Sequence, residues 1–338
     1  MLGVAARRLV RVNGLFALAN GLSGLFTGVY LWRLRPGVAT LAYYNLWMMA
    51  TLMVALPLLG ILVKRRGAVV ANVLGTVLYA GFYLTLLVLG EGAGEHLAAL
   101  GIFMGVATAS QALAGHVLAY DITDERNREA FYNRSGVVAS LAGLIAPLVA
   151  GWLLSSFAGL MGYRIIFISS FVLFAVSAWM GLGLHVRSPR EPYRLFAVLP
   201  GSHRDWHRLL IAYGVLGLRE GIFGFAINLL VYLSAGGAEA SLGNFTFVTS
   251  VVGLAAFWGA GRVMTPVNRG RLFPAGAVVM ALGCGLLALG ASWGVMLAYG
   301  LLTAIANPFW STAFGAASFE VIRNASEGRN LRVEMIAA

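Results

Sequence analysis

Near the centre of one long apolar run, Leu209 to Tyr232, stands Leu218-Arg219-Glu220-Gly221, an arginine and a glutamate side by side. An ionisable side chain at the middle of a bilayer costs ~2.5–3.5 kcal/mol on insertion scales, so such a residue is a functional candidate by default. Successive residues of a helix lie ~100° apart, which predicts different faces for the two charges. Glu220 falls with Tyr213, Gly217, Gly224 and, at the edge, Asn228, a small and polar stripe suited to a water-filled cavity. A carboxylate partly removed from water exchanges its proton more readily near neutral pH, the property a proton-coupled transport cycle needs. Arg219 falls instead with Ala212, Val215, Leu216, Ile222, Phe223, Ala226 and Leu230, all apolar. At 1.5 Å per residue it sits ~16 Å from the membrane edge, too deep to snorkel out. It must find a carboxylate, backbone carbonyls, water or an anionic substrate; Glu220 reached around the helix, or groups in spans outside this sequence, would supply the carboxylate, and a structural role is the equal alternative.

The elements that hold these residues are transmembrane helices. The chain is 59% hydrophobic and 11% charged, and its apolar runs exceed the ~18 residues that mark a membrane helix. Ten spans are predicted, at 12–32, 41–63, 68–90, 97–119, 135–158, 164–186, 209–232, 241–261, 272–292 and 293–318. Of the 24 Lys and Arg, 20 fall on the side that holds Arg7, Arg8 and Arg11, 3 on the other, and Arg219 within. That is a positive-inside distribution rather than a nucleic-acid patch, and it predicts a cytoplasmic N-terminus. The expected location is a bacterial cytoplasmic membrane. Arg11 and Asn13 interrupt the stretch that a signal peptide would need, so a first span is read instead. The single cysteine, Cys284, allows no intramolecular disulfide or cysteine metal cluster.

The sequence also repeats itself. Asn20-Gly21 and Gly24 match Glu220-Gly221 and Gly224; Gly60 before a basic turn matches Gly261 before Arg262, Arg269 and Arg271. Tyr120-Asp121-Ile122 matches Phe319-Glu320-Val321, and Arg126-Asn127 matches Arg329-Asn330. The four matches keep their order at offsets of 199 to 203, as expected of a duplicated unit. The first unit continues for two more spans, so the second is expected to lack its last two. A natural ten-span chain is the alternative.

Six spans, a polar linker and a parallel second half resemble the major facilitator superfamily of secondary transporters. The turn Gly60-Ile61-Leu62-Val63-Lys64-Arg65-Arg66-Gly67 is similar to the family's Gly-x-x-x-Asp-Arg motif between spans 2 and 3, with Lys64 in place of the aspartate. A gating ion pair that needs that carboxylate is therefore not expected here. Ala142, Ala146-Pro147 and Ala150-Gly151 resemble the family's antiporter motif, or equally a small-residue helix interface.

The resemblance implies an all-α polytopic fold of two parallel six-helix bundles, ten of twelve spans being present. The bundles divide as 1–187, a cytoplasmic linker at 188–208, and 209–338. It implies a cavity lined by spans 1, 4, 7 and 10. Their mid-depth polar groups then join Glu220, Arg219 and Asn228 as substrate or coupling candidates: Asn20, with Ser23, Gly24 and Thr27 on one face; Gln111 beside Ser110; and Asn307 beside Pro308. Each has a packing alternative, since amides and hydroxyls also fasten helix to helix. His116 is expected to be a hydrogen-bonded structural residue, and Trp310 and Tyr232 packing or cavity aromatics. A cytoplasmic gate is expected from Gly60, Lys64, Arg65, Arg66, Arg126, Arg269 and Arg329. The loops Asp121–Arg134 and Glu320–Glu334 would form short charged helices around it.

With Lys64 the only lysine, no Gly-x-x-x-x-Gly-Lys-[Ser/Thr] phosphate loop exists, nor any His-Glu-x-x-His or Gly-x-Ser-x-Gly. A non-enzymatic secondary transporter is expected, monomeric, proton-coupled, without cofactor or catalytic metal, in contact with lipid and a small-molecule substrate. Efflux of an apolar or cationic compound and uptake of a sugar or organic anion both remain open. A receptor or assembly factor on a transporter-like scaffold is the alternative from another class.

Overall fold

The computed structural model describes residues 2–123, 128–186, 193–194, 204–263, 269–326 and 332–337, all helical, turn or extended. Ten long helices follow one another. They are α1 (Val4–Leu34), α2 (Val38–Arg66), α3 (Ala68–Leu89), α4 (Leu97–Ile122), α5 (Arg128–Ser156), α6 (Met161–Leu182), α7 (Arg204–Ser234), α8 (Glu239–Val263), α9 (Arg269–Leu286) and α10 (Trp293–Ser326). A short helix, α11 (Arg332–Ala337), comes last, and 3-10 turns at Gly90–Glu95 and Leu287–Leu289 follow α3 and α9. Eight of the long helices, all but α7 and α10, contain described windows long and apolar enough to cross a membrane. Each of the ten predicted spans coincides with one of these helices, although 164–186 and 272–292 run past the ends of α6 at Leu182 and α9 at Leu286. Helices overrun the predicted spans where polar ends still satisfy helix geometry: α1 starts eight residues earlier than its apolar run, and α10 runs to Ser326. The expected loop helix from Glu320 is therefore partly the end of α10, which continues unbroken through Pro308.

Tight connections use backbone that only glycine adopts readily. Gly67, at φ 93°, separates α2 from α3 with no intervening loop. Gly236 and Gly237, at φ 71° and 80°, end α7, and the Gly237 N–H returns to the Tyr232 carbonyl at 3.0 Å.

In the first half α1 packs on α5 and α6, α3 on α4 and α6, and α2 along α4. The core there is aromatic. Tyr83 and Phe174 stack with ring centroids 5.7 Å apart, with Phe16, Tyr79 and Phe167 arranged around them. The second half repeats two of these pairings, α8 on α10 and α9 on α10, and packs α7 on α10 more extensively than α1 on α4. The faces of α7 and α9 corresponding to those that α5 and α6 cover in the first half stay open: Leu218 is 69% exposed and Leu282 63%.

Between the halves the principal seam is α5 against α8, with α1 and α2 also touching α7. Backbone approaches backbone in this seam: a Cβ on Gly243 would lie 2.6 Å from the Pro147 carbonyl oxygen and 3.4 Å from Gly151 Cα. Ala146, on the other face of α5, packs where a Cβ on Gly21 of α1 would lie, 2.9 Å away. The alanine- and glycine-bearing segment of α5 thus joins α1 on one side and α8 on the other. Most of the predicted 188–208 linker falls outside the described residues.

Candidate substrate and coupling site

Arg219 and Glu220 form an ion pair, guanidinium Nη1 to carboxylate Oε1, midway along α7. Helical phase alone separates their Cβ directions, but two long side chains on adjacent residues bend toward each other when no better partner is at hand. Of the partners considered for Arg219, the structure places Glu220 there. The pair is asymmetric, with side-chain exposures of 26% for Arg219 and 58% for Glu220. Arg219 leans into its own bundle. Its Nη2 lies 3.4 Å from Met280 Sδ on α9, and its Cζ lies 6.0 Å from the Trp310 ring centroid on α10. The Tyr299 hydroxyl of α10 also faces the guanidinium and the carboxylate. Ala19, at the repeat-related place in α1, is fully buried, and its carbonyl accepts from Ser170 of α6 at 3.1 Å. The arginine thus occupies a position built for packing, and it turns the glutamate outward.

The polar face predicted for α1 divides in two. Asn20 and Gly24, one turn apart, are exposed. Ser23 and Thr27 are buried on the neighbouring face; each hydroxyl donates to the carbonyl four residues back, and Thr27 Oγ1 lies 3.4 Å from the Tyr83 hydroxyl. Only Asn20 therefore corresponds to Glu220 in exposure as well as in sequence.

In α4, Gln111 turns toward α3. Its Oε1 accepts from Asn72 Nδ2 at 3.3 Å and Thr76 Oγ1 at 3.2 Å, while Ser110 donates to the Ala71 carbonyl at 2.8 Å. Both join the α3–α4 interface, where Gly75 admits the Gln111 backbone to within 2.8 Å of a would-be Cβ. His116 is exposed near the end of α4 and makes no hydrogen bond among the described residues, unlike the bonded histidine expected. Asn307 is exposed on α10, its carbonyl accepting from Ser311 Oγ at 2.6 Å. Asn228 is half-buried between Ile227 and Leu229, and Tyr232 is buried edge-on against Trp32 of α1, 5.7 Å between centroids.

On the N-terminal face, the lysine in the aspartate's place has a carboxylate after all. Lys64 Nζ lies 3.3 Å from Glu334 Oε2 of α11, with side-chain exposures of 4% and 0%. The Arg194 backbone N–H donates to the other carboxylate oxygen at 3.1 Å. The Tyr193 ring lies over Gly60, so that a Cβ there would meet it at 2.5 Å. Burial, and then the nearby Glu334 carboxylate, push the Tyr193 hydroxyl up to about 12. Arg65 and Arg66 are exposed beside this cluster. Arg126 and Arg329 lie outside the described residues, and only the backbone of Arg269 is described.

A second inter-half contact lies on the opposite face, unsignalled in sequence. Arg33, at the end of α1, pairs with Glu239, at the start of α8, at 2.6 Å, and the Tyr163 hydroxyl donates to the same oxygen at 3.3 Å. The one available cue was an isolated acid at a span end, equally true of Glu91 and Glu95. Met280 and Tyr299 likewise carried no signal, because their role depends on which helix Arg219 leans toward.

No protein-family model matches the chain. The uncharacterized protein YqgE of Bacillus subtilis (strain 168) is 32% identical over 330 residues, 97% of this chain and 76% of YqgE. The chain belongs to the YqgE family. An uncharacterized protein from the sodM 3' region of Geobacillus stearothermophilus is 32% identical over 188 residues, 56% of this chain and 87% of that protein. Among solved structures, the human organic anion transporter MFSD10 (TETRAN) superposes with a TM-score of 0.71 at 14% identity, over 98% of this chain and 89% of that one. A bacterial homologue of the iron transporter ferroportin, in its outward-facing state, gives 0.68 at 17% identity over 99% and 89%. At these identities the likeness is one of fold: this is an integral membrane protein with the major facilitator architecture.

Proposed function

We propose that this chain is a secondary transporter that moves a small solute by alternating access, with proton coupling through Glu220. The observation that carries the reading is the Arg219–Glu220 pair midway along α7, its carboxylate more than half exposed and its arginine anchored to α9 and α10. Protonation of Glu220 removes one charge from the pair and leaves the guanidinium without its counter-charge. The charge balance of the site then depends on proton and solute together, which is the basis of coupling. The titratable groups facing Glu220 are Arg219 on its own helix and Tyr299 from α10.

Alternating access also needs contacts between the halves that form and break. The α5–α8 seam, where Pro147 and Gly243 meet backbone to backbone, is suited to act as the pivot. The Arg33–Glu239 pair closes the face opposite the N-terminus, and Lys64–Glu334 fastens α11 beneath the first bundle on the N-terminal side. The basic side, with the N-terminus and the gate residues Gly60, Lys64, Arg65, Arg66, Arg126, Arg269 and Arg329, is assigned to the cytoplasm of a bacterial cell. The protein is taken to act as a monomer. The names of the superposed structures cover both organic anions and metals, and a fixed guanidinium at the centre of this site disfavours a bare cation.

The test is flux of candidate solutes into proteoliposomes holding the full chain, with and without an imposed proton gradient. Gradient-driven accumulation of one class supports the proposal. Absence of flux across anionic, neutral and cationic panels, in protein that is folded and correctly inserted, removes it.

A further inference from the structure

The guanidinium that holds Glu220 has more donors than acceptors. Arg219 carries five N–H bonds. One set reaches Glu220, and the others face the thioether of Met280, a weak acceptor, and the Tyr299 hydroxyl. Arg219 Nε is buried and has no hydrogen-bond partner. On the facing helix Trp310 Nε1, a donor only, is also buried and has no partner. These two orphans belong to one contact, the guanidinium lying 6.0 Å from the Trp310 ring. Buried donors left unsatisfied are costly in a bilayer interior, and two of them on the partners of one contact call for an acceptor. The groups around them leave both donors unmet: Met280 is soft and flexible, the carboxylate of Glu220 is turned toward its open side, and the Tyr299 hydroxyl faces the guanidinium while Nε stays without a partner.

From Trp310 an aromatic row runs toward the N-terminal face. Phe314 lies 6.2 Å from Trp310, and Tyr213 of α7 4.9 Å from Phe314, centroid to centroid. Tyr213 is 47% exposed, so the row borders open space rather than a sealed core.

We propose that Arg219 Nε and Trp310 Nε1 form an oxyanion subsite, and that the solute is an organic anion whose apolar or aromatic body lies along Trp310, Phe314 and Tyr213. This rests on the transport reading above and names its substrate class. The oxyanion takes hydrogen bonds from the two orphan donors as Met280 swings aside, a movement its unbranched side chain permits. Glu220 and the anion then share one guanidinium, so protonating Glu220 strengthens the hold on the anion. A carboxylate and a sulfonate present the same acceptor chemistry to this pair of donors.

The probes are benzoate and benzenesulfonate, with benzylammonium and benzyl alcohol as the cationic and neutral controls, titrated against the full chain in detergent. Both anions are expected to bind and the controls not to. Trp310→Phe keeps the ring and removes the N–H, and it should weaken both anions by about tenfold to a hundredfold, the range for one charge-assisted hydrogen bond. Arg219→Gln should abolish binding, and Trp310→Phe decides the matter should that variant not fold. Equal binding of benzylammonium, or anion affinities within threefold of wild type in Trp310→Phe, would overturn the subsite. Exchange of labelled benzoate across proteoliposomes separates the two claims. Anion binding lost in Trp310→Phe with no exchange in the wild type retains the subsite and removes transport. Gradient-driven flux of another solute, unaffected by Trp310→Phe and by benzoate, retains transport and removes the subsite.

Discussion

Lys64→Met and Glu334→Leu test the fastening of α11 to the first bundle. The two charges lie 3.3 Å apart with side-chain exposures of 4% and 0%, so neither finds water when the other is removed. At that separation the Coulomb term is about 5 kcal/mol for an effective dielectric of 20, before either ion's desolvation is counted. Removing one partner of a buried pair costs about 3–5 kcal/mol, whereas replacing both by apolar groups of similar size is often neutral. Taking the lower figure, each single variant raises the population with α11 undocked by about a hundredfold, and the double variant returns to within about tenfold of wild type. The undocked population is read from thiol labelling of Ala337→Cys, a position 5% exposed in the docked state, with Cys284 replaced by alanine. Val333 and Ala337 remain packed against the first bundle in the wild type, which gives a slow baseline. Labelling in both single variants within twofold of wild type, or a double variant as fast as the sum of the singles, would refute a buried pair that holds α11 in place.

Two further outcomes follow from the same packing. Gly243→Leu drives a side chain into the Pro147 carbonyl, a backbone atom that cannot turn away. The expected loss is about 1–3 kcal/mol of stability, read as a lower melting temperature, together with loss of flux; an unchanged melt would place the α5–α8 seam elsewhere. The Tyr193 hydroxyl, raised to about 12 from its usual 10 by burial and by Glu334, binds its proton more tightly when packed on Gly60. Its contribution is therefore complete below pH 10 and lost as pH rises from 10 to about 12. The protection of the 332–337 amides, taken as exchange relative to the intrinsic rate at each pH, should fall over that window in wild type and not in Tyr193→Phe.

Helix existence was legible because apolar runs of membrane length leave little else for the backbone to do, and the internal repeat carried the topology. Side-chain direction was legible only in part. The ~100° rule put Arg219 and Glu220 on different faces, and it holds for their Cβ atoms, yet the long side chains closed the gap and paired. Asn20, Ser23, Gly24 and Thr27 read as one stripe, but a 60° difference in phase suffices to send two of them into the α3 contact and two to the open side. Gln111 looked like a cavity amide because its depth was right; its partners Asn72 and Thr76 lie on a helix whose rotation no single-helix pattern encodes. Lys64 stands where the resembling motif carries an aspartate, so the local sequence offers the gate no carboxylate. The missing acid was at Glu334, 270 positions further on. Contacts between halves, Arg33 with Glu239 above all, depend on how two bundles sit against each other, and no local pattern reports that.

The proposed coupling of solute movement to protons through Glu220 is tested by flux through Glu220→Gln in proteoliposomes. Glutamine keeps the shape and a hydrogen bond to Arg219 but cannot release a proton. The variant is expected still to exchange solute down its own gradient, while accumulation driven by a proton gradient and the pH dependence of uptake both disappear. Gradient-driven accumulation at the wild-type level, with the wild-type pH profile, would contradict that coupling.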